Sequence, residues 1–288
     1  MIPTQFDYQA PDTLEEAVAL LASDLDGAKV LAGGHSLIPA MKLRLAQPQL
    51  LVDIARIKSL SYIREQGDQI LIGATATHYQ LESSDLLKTI CPLLPACAAS
   101  IGDVQVRNKG TIGGSVAHSD PAGDWPAAVL ALDADLVLVG TSGERTVKAE
   151  NFFVHLLTTD LQPGEILREI RIKKPSGRFG YAYQKVKHPA SGFAVVGIAV
   201  RLALNDDGSC KSAGIGVTGV GVKAYRAKVV EAALTGSNLD DNTIANAATH
   251  VCDGIDPGTD LYASSDYRRH LAQVHTRRAI QAAKAHIK

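Results

Sequence analysis

Apolar and polar positions switch between a helical period and a strand period several times along the 288 residues, and the switch points outline the fold. LEEAVALLAS follows Pro11-Asp12-Thr13, so a helix is predicted with Thr13 as its cap and Glu16 three residues on. Lys29-Val30-Leu31-Ala32 is a short apolar run ending at Gly33-Gly34, a strand entering a glycine turn. IPAMKLRLAQ returns to helical spacing, and Leu50-Leu51-Val52-Asp53-Ile54 reads as a buried strand. The opening fifty residues therefore predict β-α-β with a glycine-rich turn at the second strand. Gln69–Ala74 predicts a strand and PLLPACAASIG a helix of small residues. Asn108–Ser115 reads as a second glycine-rich turn before the helix WPAAVLALDA. ADLVLVGTSGERTV predicts two strands around a Thr-Ser-Gly-Glu turn, and Ile166–Ile172 alternates as a half-buried strand does.

Lys173-Lys174-Pro175-Ser176-Gly177 breaks this pattern and marks the predicted domain boundary, giving residues 1–175 and 176–288. Strands are predicted beyond it around Gly180–Val186, Ala194–Leu204 and Gly214–Val222, the last two joined by the turn Asn205-Asp206-Asp207-Gly208. Three Ala-rich helices close the chain. The fold class is α+β, with a small antiparallel sheet and three helices after a larger mixed region.

Charge and cysteine content remove several function classes. Twenty-nine basic against 30 acidic side chains leave a formal net charge of -1, which gives no general attraction to nucleic acid or an anionic membrane. Arg268, Arg269, Arg277, Arg278 and Lys284 load the last helix with positive charge, but few aromatics interleave, so they predict a solvated or subunit-contacting face. Cys91, Cys97, Cys210 and Cys252 form no C-x-x-C pair; a metal or iron–sulfur site on this chain is not expected, and Cys91 and Cys97 read as buried thiols. No apolar run approaches the ~20 residues of a membrane span. The start lacks a secretory pattern, so the expected location is the cytoplasm.

Two segments carry candidate chemistry: Ala32-Gly33-Gly34-His35-Ser36 and Thr111-Ile112-Gly113-Gly114-Ser115. Paired glycines let a backbone approach an anion and present successive N–H groups, and Ser36, Thr111 and Ser115 add hydroxyls. Neither segment is a G-x-G-x-x-G or G-x-x-x-x-G-K-[ST] motif. Each by itself reads first as a tight turn that needs positive φ, and only the two together bring anion binding level with that reading.

These segments resemble the two FAD-pyrophosphate loops of the medium subunit of molybdenum hydroxylases, the xanthine dehydrogenase family, most closely its carbon monoxide dehydrogenase branch. The likeness extends through Met1-Ile2-Pro3, Phe6-Asp7-Tyr8, Arg107–Gly114, Asp120-Pro121-Ala122-Gly123-Asp124, Pro163–Leu167, Tyr181–Lys187 and Tyr267-Arg268-Arg269. It implies a two-subdomain FAD-binding domain of the vanillyl-alcohol-oxidase/PCMH type, with subdomains near 1–55 and 56–175, followed by a C-terminal domain with a small antiparallel sheet and a three-helix bundle. Ala32, Gly33, Gly34, His35 and Ser36 would hold one side of the pyrophosphate, and Thr111, Ile112, Gly113, Gly114 and Ser115 the other. Asp124 would accept from the adenosine ribose, Leu167 would meet the cofactor through its backbone, Lys185 or Lys187 would lie near the flavin ring, and Ile101 over it. Many relatives have Asn at the position of Ser115; serine can still donate.

The same residues also admit structural roles. His35 could pack or orient its loop, Asp124 could cap a helix before Trp125-Pro126, and the two lysines could form a solvated strand face. The implied function is a flavoprotein subunit that takes electrons from a small iron–sulfur subunit and passes them through FAD to an external acceptor. The resemblance puts molybdopterin cofactor and two-iron two-sulfur clusters on partner chains, a large molybdenum subunit included, in a dimer of heterotrimers. No side chain here is expected to act on substrate. The alternatives are the medium subunit of a xanthine, aldehyde, nicotine or aromatic-CoA type enzyme, a self-sufficient flavin oxidase, or a non-catalytic scaffold whose glycine segments are only turns.

Overall fold

The structure, a computed structural model, describes residues 1–287. The first helix, Leu14–Ser23, starts where Thr13 Oγ1 accepts from Glu16 N–H at 3.2 Å, and it buries Leu14, Ala17, Val18 and Leu21 on one face. That face covers a three-stranded parallel sheet ordered Asp7–Gln9, Leu50–Asp53, Ala28–Leu31. The middle strand is thus the last in sequence. The helix at Leu37–Lys42 is shorter than the apolar spacing of IPAMKLRLAQ predicts.

Residues 63–173 build an antiparallel five-stranded sheet in the order Ile63–Gln66, Gln69–Gly73, Ile166–Lys173, Asp135–Gly140, Gly143–Lys148. Its central strand, Ile166–Lys173, joins two hairpins from well-separated stretches. Small helices between residues 78 and 131 cover one face and supply much of a core around Trp125, Phe152, Leu93 and Leu94.

A second antiparallel sheet runs Arg178–Lys187, Ala194–Leu204, Cys210–Thr218, Tyr225–Arg226. Ala194–Leu204 is apolar almost throughout rather than alternating, because both faces of the sheet are covered. The 21-residue helix Ser265–Ala285 lies on one face and the helix Asp124–Ala131 on the other. All eight residues of Asp124–Ala131 are buried, between the C-terminal sheet and the helices Leu93–Ala99 and Ile112–His118. Its approach to the C-terminal sheet needs glycines. A Cβ at Gly216 would overlap Ala127 O and come within 2.8 Å of Ala127 C, and one at Gly214 would overlap Ala131 O.

Two sequence expectations are corrected. Arg268 is not a surface residue: its guanidinium is buried and donates to Val195 O at 2.7 Å and Gly219 O at 2.6 Å, with Asp260 on its other amino group. Buried carbonyls at the end of a strand need donors, and a long planar cation reaches them. Asp124 is the first residue inside its helix rather than the cap, which is Gly123. Cys91, Cys97, Cys210 and Cys252 are buried free thiols. No helix among the described residues is long and apolar enough to cross a membrane.

Candidate functional site

The two glycine segments meet. A Cβ at Gly33 would overlap Lys109 O and stand 2.7 Å from Gly110 Cα, so backbone lies directly on backbone where the strand Ala28–Leu31 ends. Gly34 has φ +75°, which only glycine holds without strain. Across the junction, a Cβ on Gly114 would be 3.9 Å from Ala32 Cβ. Together the segments form part of the wall of one cavity of about 750 Å³, a volume in the range of small-molecule and cofactor sites.

The segments offer different chemistry. Among the described residues, the backbone N–H groups of Gly33, Gly34, His35 and Ser36 donate to no protein acceptor, and the Ser36 hydroxyl makes no cap bond. Four consecutive unpaired donors beside the cavity match the requirements of an anion. The second segment is not the open turn expected from its glycines. Ile112–His118 is a helix with Thr111 as its cap. Ile112 N–H donates to Ala76 O at 3.0 Å and Gly113 N–H to Ala74 O at 2.9 Å. Gly114 N–H donates to Thr111 Oγ1 at 3.2 Å, and Ser115 N–H to Thr111 O at 3.1 Å. Its amides are therefore spent on the fold, and Gly113 is needed for close packing on Ala74. What remains on this side is the exposed surface of Gly114 and the hydroxyls of Thr111 and Ser115.

Twelve of the fifteen residues expected at a cofactor line this cavity: Ala32, Gly33, Gly34, His35, Ser36, Ile101, Thr111, Gly113, Gly114, Ser115, Asp124 and Leu167. Ile112, Lys185 and Lys187 do not. Ile112 is fully buried in the core. Lys187 is exposed at the end of its strand. Lys185 has a side chain only 3% exposed, and its Nζ donates to Asp124 Oδ2 at 2.8 Å and Ser100 O at 3.2 Å. Asp124 Oδ1 accepts from the Tyr183 hydroxyl at 2.5 Å. Asp124 also stands 3.5 Å from Ser100 Oγ, the side chain next to Ile101 in sequence. Ile101 and Asp124 both line the cavity. Leu167 sits where the register of Ile166–Lys173 shifts against Asp135–Gly140.

The Asp120–Asp124 motif is fixed by the C-terminal sheet. Gly219 N–H donates to Pro121 O at 2.6 Å, Ala194 N–H to Ala122 O at 3.1 Å, and the Thr218 hydroxyl lies 2.7 Å from both Pro121 O and Gly123 O. At another part of the wall, Leu157, Leu161 and Gly164 face Leu21 and Leu25, and a Cβ at Gly164 would come within 3.1 Å of Leu25 Cδ2. Arg145 braces this stretch through Glu165 at 2.7 Å and Asp160 at 2.6 Å.

Sequence reasoning overlooked His78. It follows Thr77, whose capping box with Gln80 starts the helix His78–Ser83, and it lines the cavity behind Gly110. A lone histidine carries no periodic signal, and nothing near it in sequence names its partner. The Trp125 indole N–H donates to its Nδ1 at 3.0 Å, which leaves the proton on Nε2. Burial, with the nearby charges of His35 and Arg107, lowers its pKa from 6.5 to about 4. The unfolded chain therefore takes up a proton as pH falls through 6.5, and the folded chain does so only near 4. Stability held at neutral pH is lost across that window. Between about pH 7 and pH 5, wild type is expected to lose about 2 kcal/mol more unfolding free energy than His78→Gln in urea titrations. Equal losses would refute this assignment. Phe193, with Ser191 and Gly192, also lines the cavity beyond the strand Arg178–Lys187 and was not anticipated.

Comparisons with known proteins agree along the whole length. Residues 4–175 match the family model described as FAD binding domain in molybdopterin dehydrogenase. Residues 181–283 match the CO dehydrogenase flavoprotein C-terminal domain. The chain is 41% identical to the carbon monoxide dehydrogenase medium chain of Hydrogenophaga pseudoflava, covering 98% of each. It is 40% identical to that of Afipia carboxidovorans, covering 100% of each. A solved structure of carbon monoxide dehydrogenase from Hydrogenophaga pseudoflava, lacking the Mo-pyranopterin moiety of the molybdenum cofactor, superposes with a TM-score of 0.97 at 42% identity over 100% of both chains. With that fold, and a cavity that brings both glycine segments together, this chain belongs to the family of carbon monoxide dehydrogenase-type flavoprotein medium chains, oxidoreductase subunits built on the FAD-binding domain of the molybdopterin dehydrogenases.

Proposed function

We propose that this chain holds one FAD in the cavity beside Gly33–Ser36 and relays electrons as the medium subunit of a carbon monoxide dehydrogenase-type enzyme. The observation that carries the reading is the unpaired N–H array of Gly33, Gly34, His35 and Ser36, set against the hydroxyls of Thr111 and Ser115 on one cavity wall. These groups would bind the diphosphate as neutral donors. Ile101, Leu167 and Phe193 supply apolar wall for the flat parts of the cofactor. Asp124, which lines the cavity, would accept from hydroxyls of the cofactor.

The flavin supplies the chemistry, exchanging one or two electrons. The protein's part is to orient it, exclude water along the buried side and fix the nearby charges. Electrons would arrive from a small iron–sulfur subunit, after oxidation of substrate on a large molybdenum subunit, in a dimer of heterotrimers in the cytoplasm. In this division residues 1–175 form the flavin-binding unit, with subdomains near 1–55 and 56–175, and residues 176–288 close one side of it. Substrate choice would rest with the molybdenum subunit. Purified full-length chain titrated with FAD should turn yellow with one flavin per chain, and chain co-purified from its source should bring both partners. A folded chain that stays colourless in excess FAD would overturn the reading.

A further inference from the structure

Asp124, which lines the cavity, is held from behind by side chains far from it in sequence. Asp124 starts a helix that belongs to the FAD-binding match, while Tyr183 and Lys185 lie on the strand Arg178–Lys187. Two residues apart, Tyr183 and Lys185 share a face of that strand. Both engage the same carboxylate, at 2.5 and 2.8 Å, with side-chain exposures of 3% for Lys185 and 6% for Asp124. Lys185 is tied down a second time by Ser100 O.

A buried ion pair is a weak source of stability, because desolvation offsets most of its attraction. The backbone bonds from Thr218, Gly219 and Ala194 already anchor this corner. A carboxylate can accept about four hydrogen bonds, and Tyr183 and Lys185 use two, so acceptor capacity remains on the cavity wall. We propose that Tyr183 and Lys185 are positioning residues that keep Asp124 ionised and oriented toward the bound flavin, so that the C-terminal sheet completes the cofactor site. This rests on the FAD reading above.

The groups facing Asp124 are Tyr183, Lys185 and Lys187 on that strand, and Cys97 and Ser100 at the end of the helix Leu93–Ala99. Burial pushes the Asp124 carboxyl up, and Lys185 and Tyr183 pull it back. Burial holds Tyr183 and Cys97 well above their usual range, so both stay neutral. Without Lys185, the Asp124 carboxyl loses the charge that most lowers its pKa and moves further up, and a protonated carboxyl loses an acceptor.

Full-length Lys185→Met and Tyr183→Phe are compared with wild type by FAD dissociation constant between about pH 6 and 9 and by melting of the apoprotein. Lys185→Met is expected to weaken binding about tenfold or more at the acid end, recovering as pH rises, whereas wild type stays flat. Tyr183→Phe, which removes only a hydroxyl, is expected to weaken binding about threefold to tenfold. In an Asp124→Asn background, Lys185→Met should add no pH dependence. Wild-type FAD affinity in both single variants across this range would overturn the proposal, leaving the cluster a strut between two regions of the fold. Should Lys185→Met fail to fold, Tyr183→Phe decides alone by the same criterion. A wild-type chain that takes up no FAD would instead overturn the flavin reading, and this proposal with it.

Discussion

Gly33→Ala is expected to give a folded protein that no longer retains FAD. The added methyl would overlap Lys109 O and stand 2.7 Å from Gly110 Cα. Both are backbone atoms and cannot swing aside as a side-chain tip can. The loop after Ala28–Leu31 must therefore move away from the Lys109–Thr111 stretch. That movement displaces the N–H groups of Gly33–Ser36 relative to the hydroxyls of Thr111 and Ser115. Overpacking of this kind costs about 1–3 kcal/mol of stability, a drop of a few degrees in melting temperature. The effect on the ligand is larger because several hydrogen bonds to a charged group fail together. A weakening of FAD binding by about 100-fold or more corresponds to roughly 2.7 kcal/mol. Flavin absorbance of the purified variant, with calorimetric melting as the control for folding, checks both parts. Normal flavin content in Gly33→Ala would show that the junction of the two segments does not position the cofactor.

The second large effect is expected at Gly216, far from the glycine segments. Gly214 and Gly216 face Ala131 O and Ala127 O on the helix Asp124–Ala131. The spacing explains the pairing. Four helical residues advance about 6 Å, and two strand residues advance about 6.6–6.8 Å. The two backbones can therefore touch at two successive points, provided no Cβ intervenes. In Gly216→Ala the methyl would overlap Ala127 O, so the helix must lift from the sheet along its length. A loss of about 3 kcal/mol, or roughly 6–12 °C in melting temperature, is expected. Because Asp124 begins the helix, flavin retention should fall in the same variant. Wild-type melting would show that the helix has slack against the sheet, and the close approach would lose its significance.

Local features of the fold were legible in the sequence because their causes are local. Thr13 capping Glu16, the hairpin around Thr141-Ser142, the turn at Asn205–Gly208 and the long C-terminal helix depend on residues within a few positions of each other. The glycine segments were visible as pairs, and the family resemblance rested on them and on the order of the other motifs. The state of each segment was not visible. The same Gly-Gly step is an open, unpaired loop at Gly33-Gly34 and part of a helix at Gly113-Gly114, since Ala74 O and Ala76 O capture the second segment from a distant strand end.

Asp124 and Lys185 illustrate the same limit. The family resemblance placed both near a cofactor, but a carboxylate and an ammonium 61 positions apart do not announce that they bond each other. His78 and Trp125 gave no sign of their hydrogen bond across 47 residues. What the chain's linear order determined by itself was the succession of helices and strands and the presence of two anion-compatible glycine segments, because periodicity, caps and turns act over a few residues. The tertiary structure alone decided which amides stay unpaired, which carboxylate is held by which cation, and that Ser191, Gly192 and Phe193 join the wall of the cavity. Each of those outcomes depends on segments brought together only by packing of elements distant in sequence.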